Sequence, residues 1–285
     1  MTATSADRRS SAAVGRHARL ELTFGAHRGR TVLTHAYAEP PYRIGRCFQE
    51  GSALHLIMAS SAPGIFGGDR FEQVVRLCPG ARVRLTSQSA LQVHPSSEGA
   101  TAELVADYDV DEDAVLSCHW DPLIPFSGAR FDQHLTVRAA AGSSLYWSDA
   151  FTSGRAARGE QWRFDSLRHE FKVWRSGSLD YLERYRISPG DGRVTDGWAA
   201  GRNSWFGTTL VTDPTLEPGA ALLAHDDVRG VDGCSAAVDT CDANLVVARL
   251  MAASSVPFRE ARDRLARRFH PLLFALDTGG PALHS

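Results

Sequence analysis

SALHLIMASSAPGIFGGDRFEQVVRL, Ser52 to Leu77, is the stretch whose reading decides the fold. Near its start Leu54, Leu56 and Met58 share one parity, and near its end Phe71, Gln73, Val75 and Leu77 share one. Alternation with a period of two marks a half-buried β-strand, whereas a helix would repeat its apolar positions every 3.6 residues. Between the strands lies SAPGIFGGDRF, Ser61 to Phe71, in which Pro63 fixes how the backbone enters and Gly64, Gly67 and Gly68 can take φ > 0 without steric penalty. The segment is a sharp strand-to-strand connection that delivers Asp69 to a defined place. A solvated turn aspartate and a functional carboxylate both fit this pattern.

The alternation continues on either side. Leu20, Leu22 and Phe24 share a face upstream, and RTVLTHAYA forms a second strand that Pro40 and Pro41 end. Downstream the pattern recurs as Val83, Leu85 and Ser87, as Leu104, Ala106, Tyr108 and Val110, and as Phe131, Leu135 and Val137. SSLYWSDAF, QWRFDSLRHEFKVWR, LDYLERYRI, WFGTTLVTD and NLVVARLMA extend it. Runs of this length separated by turn residues predict a mostly β fold, a two-sheet antiparallel β-sandwich-like single domain built of hairpins. One or two C-terminal α-helices complete it. Residues 1–16 are expected to be a flexible tail and 17–285 the single β-rich domain, with no internal repeat.

The clearest helix is SSVPFREARDRLARRF. Ser255 is placed as its N-cap, Pro257 sits in its first turn, and Phe258, Ala261, Leu265 and Phe269 form one apolar stripe. This predicts a helix over about 257–270, with Arg259, Arg262, Asp263 and Arg267 on the opposite face. PLLFAL, after Pro271, is a candidate second helix.

Composition removes several functions. At 285 residues and 43% hydrophobic content the chain can bury a sizeable core, and a net charge of −2 offers no field for nucleic acid or an anionic membrane. Lys172 is the only lysine and lies in EFKVW, so there is no phosphate-cradling Gly-Lys-Ser/Thr loop. The 5 cysteines form no CxxC pair, which fits a reduced, cytoplasmic protein, and no apolar run approaches a membrane span. HExxH, HxH and G-x-S-x-G spacings are also missing.

Strand parity also shows which polar residues point inward. Glu183 falls among Leu179, Tyr181, Tyr185 and Ile187; Asp149 falls with Leu145, Trp147 and Phe151; Ser87 falls with Val83 and Leu85. A carboxylate buried dry costs several kcal/mol unless paired or hydrated. Glu183 is therefore expected either to pair with an arginine, Arg155 or Arg158 for example, or to face a hydrated interior through which a cation could pass. Two other functions remain open: a hydrolase using Asp69 and Glu183 as paired carboxylates, and a carbohydrate-binding sandwich with Trp198 and Trp205 on a flat face.

APGIFGGDRF (Ala62 to Phe71), LTSQSALQVH (Leu85 to His94), WDPLIPFSGARF (Trp120 to Phe131), SGRAARGEQW (Ser153 to Trp162) and LDYLERYRI (Leu179 to Ile187) together resemble the urease accessory proteins called UreD or UreH. The Pro-Gly-x-x-Gly-Gly-Asp and Gly-Arg-x-x-x-Gly-Glu turns carry most of the likeness. Ala90-Leu91-Gln92-Val93-His94 departs from the family's usual Ala-Thr-Lys-x-Tyr, and GGPALHS replaces its frequent Pro-Arg-Ile-Trp ending.

The resemblance implies a non-catalytic urease maturation factor. Such a protein joins a UreF-type helical accessory protein and a UreG-type GTPase, and the assembly docks on apo-urease while Ni²⁺ moves through an internal passage. On that reading Asp69, Ser87, Glu183 and Glu160 line the passage. Asp69 and Glu183 touch nickel transiently, with no fixed metal site and no tightly bound cofactor. Phe258, Arg262, Leu265 and Arg267 contribute a partner-binding helix face.

Overall fold

A computed structural model describes residues 15–274, apart from 97, 197–198 and 243. Most of the expected N-terminal tail, Trp198 and the GGPALHS end lie outside the described residues. The chain begins with a hairpin of β1 (His17–His27) and β2 (Arg30–Ala38), followed by β3 (Tyr42–Glu50). It then winds instead of doubling back. β4 (Ala53–Ser60), β5 (Ile65–Phe66) and β6 (Arg70–Leu77) make one coil, and β7 (Arg82–Ser87), β8 (Gln92–His94) and β9 (Ala102–Val110) make the next. β10 (Val115–His119), β11 (Ile124–Pro125) and β12 (Arg130–Ala139) make another.

Within this region every coil-to-coil pairing is parallel. β4, β7 and β10 lie side by side in one sheet, β6, β9 and β12 in a second, and β5, β8 and β11 in a short third sheet at the corner. The result is a β-solenoid of roughly 30 residues per coil, within the span usual for stacked repeats. β13 (Ser144–Thr152) and β14 (Ser166–Arg175) add one more parallel strand to each main sheet. β15 (Ser178–Ile187), β16 (Trp205–Thr212), α1 (Ala220–Arg229), β17 (Cys234–Asp242), β18 (Leu245–Ala252) and α2 (Ser255–Leu273) follow, and these late strands pair antiparallel. The finished sheets have 7 and 8 strands and are mixed.

The expected antiparallel β-sandwich of hairpins is therefore incorrect, although the mostly β content and terminal helices agree. A period of two tells which face a residue occupies but not which way the neighbouring strand runs. Turn residues between the alternating runs favoured hairpins; in this chain the crossover between parallel neighbours is a strand of the opposite sheet. The coil repeat escapes a reading of residues because it is geometric, with corners as different as Pro63-Gly64-Ile65-Phe66 and Leu123-Ile124-Pro125-Phe126.

Coil stacking also explains the central glycines. A Cβ on Gly64, whose φ is +155°, would sit 2.1 Å from the Gln92 carbonyl oxygen of the next coil, and one on Gly67 would sit 2.4 Å from the Ala100 oxygen. Both glycines are required by the close approach of adjacent backbones.

The inner faces of the two main sheets form the principal core. Leu56, Leu85, Cys118 and Trp147 lie in one row across the 8-stranded sheet and are all fully buried. Val75, Tyr108, Val137 and Val173 form the matching row opposite. Outer positions of the 7-stranded sheet carry cross-strand ion pairs, such as Arg138 with Asp107 at 2.8 Å.

A third layer of α1 and α2 covers the outer face of the 8-stranded sheet. Phe258, Ala261, Leu265 and Phe269 are buried there beside Tyr146, Val211, Val246 and Leu250. Burial of this stripe assigns Phe258 and Leu265 to closing the sheet and not to a free partner face. Arg262 also turns inward and is 4% exposed. Its Nε donates to Ser148 Oγ at 3.0 Å, and Nη2 donates to the Trp120 and Ser148 carbonyls at 2.8 and 3.1 Å. Arg267 alone of the four expected partner residues is exposed. α2 runs through Pro271 to Leu273, so the start of PLLFAL continues that helix, and Ala275 and Leu276 lie outside the described residues; α1 was absent from the sequence expectation. Among the described residues no helix is long and apolar enough to cross a membrane.

Candidate functional site: a cavity between the sheets

A cavity of about 720 Å³ lies between the two main sheets. Ser60, Ser87 and Asp121 line one end, and Glu183, Ser235, Ala237 and Arg249 line the other. Ser60 is on β4 and Arg249 on β18, with β7, β10, β13 and β16 between them, so the cavity crosses about 24 Å of sheet at about 4.8 Å per strand. Exposed residues occur at both extremes, Ser60 at one and Arg249 at the other.

Most of the wall is apolar, including Met58, Phe71, Leu104, Leu135, Trp147 and Phe151. The carboxylates lining it are Asp121, Asp149 and Glu183. At the first end Ser87 Oγ donates to Asp121 Oδ2 at 3.2 Å and accepts from the Asp121 backbone N–H at 2.8 Å. This pair joins β7 to the loop after β10.

Farther in, His169 Nδ1 lies 3.0 Å from Gln133 Oε1, and its ring stacks on Tyr185 with centroids 4.8 Å apart. Asp149 Oδ2 accepts from Trp147 Nε1 at 3.1 Å. Burial pushes the Asp149 carboxyl up from its ordinary pKa, His169 opposes that shift, and Glu183 adds to it.

Glu183 ends the polar seam and is 6% exposed. Its Oε1 accepts from Arg249 Nη1 at 2.6 Å and from Thr208 Oγ1 at 3.2 Å, and its Oε2 accepts from Tyr181 OH at 3.1 Å. Strand register explains the grouping: Thr208 stands between Asp149 and Arg249 in one cross-strand row, while Tyr181, Glu183 and Tyr185 share the inner face of β15. The arginine partner is neither Arg155 nor Arg158. The pair is not sealed either, because the Arg249 side chain is 57% exposed.

Ser87 and Glu183 thus border the cavity as expected from parity, but Asp69 and Glu160 do not. Asp69 Oδ1 accepts from the Arg16 N–H at 2.7 Å and Oδ2 from the Phe66 N–H at 3.0 Å, so both oxygens close the turn and fasten the start of β1. Glu160 pairs with Arg155 at 2.8 and 2.5 Å across the Gly154–Gly159 turn. The arrangement supplies no Asp69–Glu183 pair for hydrolysis, and Trp205 packs on Phe258 at 5.8 Å instead of standing on a flat open face. Trp198 lies outside the described residues.

Sequence reasoning missed His169 and Arg249, yet both were accessible to it. His169 shares parity with Leu167 and Phe171, and Arg249 with Leu245, Val247 and Met251. Among the described residues no three His, Cys, Asp or Glu side chains are arranged to hold a metal ion.

Comparison with known proteins agrees with the resemblance in the motifs. The family model described as UreD urease accessory protein matches residues 16–283. Urease accessory protein UreD of Lysinibacillus sphaericus (strain C3-41) is 32% identical over 173 residues, 60% of this chain and 65% of that protein. The UreD of Deinococcus radiodurans is 32% identical over 241 residues, 79% of this chain and 86% of that protein. Urease accessory protein UreH of Helicobacter pylori (strain J99) is 26% identical over 251 residues, 87% of this chain and 92% of that protein.

Proposed function

The chain belongs to the UreD urease accessory protein family, and from that premise we propose that it conveys Ni²⁺ towards apo-urease through the cavity between its sheets. The observation that carries the reading is the cavity's course, from Ser60, Ser87 and Asp121 at one end to Glu183 and Arg249 at the other. Oxygen and nitrogen donors are spaced along it in ones and twos. Ni²⁺ accepts carboxylate, imidazole, hydroxyl and water ligands, and weak contacts in series let an ion leave as easily as it enters. A complete cage would retain it.

In this reading Ser87 and Asp121 form one mouth, Asp149 and His169 sit midway, and Glu183 guards the other mouth. The chain is a scaffold with no catalysis and no tightly bound cofactor of its own. A UreF-type helical protein and a UreG-type GTPase complete the assembly, and nucleotide hydrolysis belongs to the GTPase. Arg267 and its exposed neighbours on α2 are the part of that helix available to a partner.

Glu183→Leu tests the proposal in co-expression with urease and its accessory proteins. The expected result is an assembled complex that delivers less nickel. Normal nickel delivery by that variant would contradict the passage.

A further inference from the structure

Glu183 is not free to meet a cation as it stands. Its Oε1 already takes a guanidinium hydrogen bond at 2.6 Å and a hydroxyl at 3.2 Å, and its Oε2 takes the Tyr181 hydroxyl. Arg249 braces the same group from a second nitrogen, Nη2, which donates to Tyr181 OH at 3.3 Å. An ion that takes Glu183 through Oε1, or through both oxygens, must first displace this arginine. The two partners differ greatly in exposure, 6% for the Glu183 side chain against 57% for that of Arg249. Such an arginine can swing outward and exchange its contacts for water with little desolvation, whereas a wholly buried one could not.

We propose that Arg249 is the resident counter-cation of Glu183, a latch that a divalent metal ion displaces and a monovalent ion does not. The inference rests on the passage reading and adds the residue that sets its charge selectivity. A divalent ion at the same distance has twice the Coulombic attraction of a guanidinium for the carboxylate. Na⁺ or K⁺ has no such advantage and brings no directed hydrogen bonds. Asp149 lies beyond Thr208 in the same cross-strand row as Arg249 and offers the arriving ion a second carboxylate. Once the ion moves on, the guanidinium returns and Glu183 is again neutralised.

The test is Ni²⁺ binding to the purified full-length chain by equilibrium dialysis, with Na⁺ as competitor and thermal melts as a check on folding. Arg249→Gln removes the competing charge and is expected to tighten Ni²⁺ binding roughly two- to fivefold, the upper part of the range for releasing a partly exposed ion pair. It should also make Na⁺ a better competitor. Arg249→Gln combined with Glu183→Gln should lose the gain. Unchanged affinity in a cooperatively melting Arg249→Gln variant, or a gain that survives in the double variant, would overturn the latch.

If Arg249→Gln does not melt cooperatively, Arg249→Lys carries the test. Its ammonium holds the carboxylate without the planar fork, so affinity should rise by a smaller factor, and wild-type affinity would count against the latch. The passage is judged separately by nickel delivery through Glu183→Leu. Reduced delivery there with no effect at Arg249 leaves the passage standing and removes the latch.

Discussion

Arg262 distinguishes a helix that closes the fold from one offered to a partner. Replacing it with Met keeps much of the side-chain length and removes the donors to Ser148 Oγ, the Ser148 carbonyl and the Trp120 carbonyl. Two of these acceptors keep other donors: the Trp120 N–H bonds the Ser148 carbonyl at 2.9 Å, and the Thr209 hydroxyl lies 2.9 Å from Ser148 Oγ. The Trp120 carbonyl loses its arginine donor, and a buried polar group left unsatisfied costs about 1–3 kcal/mol. Weakening the two Ser148 contacts adds to that loss, while removing a buried cation returns part of it. A net destabilisation of about 2 kcal/mol follows, corresponding to a fall in Tm of about 3 °C in a chain of this size. The assay is a thermal melt of the chain alone, with Arg267→Glu as the surface control that should melt like wild type. A wild-type Tm for Arg262→Met, together with loss of partner recovery, would refute the reasoning and return Arg262 to the interface.

Acid should loosen the helical layer. Burial pushes His270 down to about 4, and His119, which faces the same cleft under α2, is pushed down to about 2 mainly by burial. A histidine whose folded value lies below its ordinary 6.5 contributes stability that is full above 6.5 and is lost as pH falls towards the folded value. His270 alone accounts for up to about 2 kcal/mol between pH 7 and pH 5, so chemical denaturation across that range should show stability falling, and His270→Gln should flatten the fall. A variant with the wild-type pH profile would exclude His270 as a source. Gly64→Ala should destabilise the coil stack by at least about 2 kcal/mol, because the added Cβ meets the Gln92 carbonyl at 2.1 Å. Urea unfolding at the wild-type midpoint would contradict that.

Strand positions and their faces were most legible where a single face is buried, as on β1 and β9, whose burial alternates residue by residue. Leu54, Val83 and Leu145 were assigned inward from alternation, and each occupies the principal core. Pairing direction was not legible, since alternation looks the same beside a parallel or an antiparallel neighbour. α1 was missed because Leu222 and Leu223 are exposed while Ala221, Ala224 and Val228 are the buried contacts, so its largest apolar residues point the wrong way for a stripe.

In the candidate site, Ser87 and Glu183 were found by parity alone. Asp69 was misplaced because Gly- and Asp-rich turns look alike whether the carboxylate faces a cavity or fastens its own backbone, as Asp69 does. Arg262 was placed outside on charge, yet backbone carbonyls and a serine hydroxyl satisfy it inside.

The most direct measurement is the number of nickel ions per urease active site when the enzyme matures with wild-type chain or with Glu183→Leu, at equal recovery of the accessory complex. The account predicts a clear deficit with the leucine variant, because the ion loses its carboxylate at the mouth beside Arg249. Equal nickel occupancy in the two preparations would mean that metal reaches urease by a route that does not pass through this cavity.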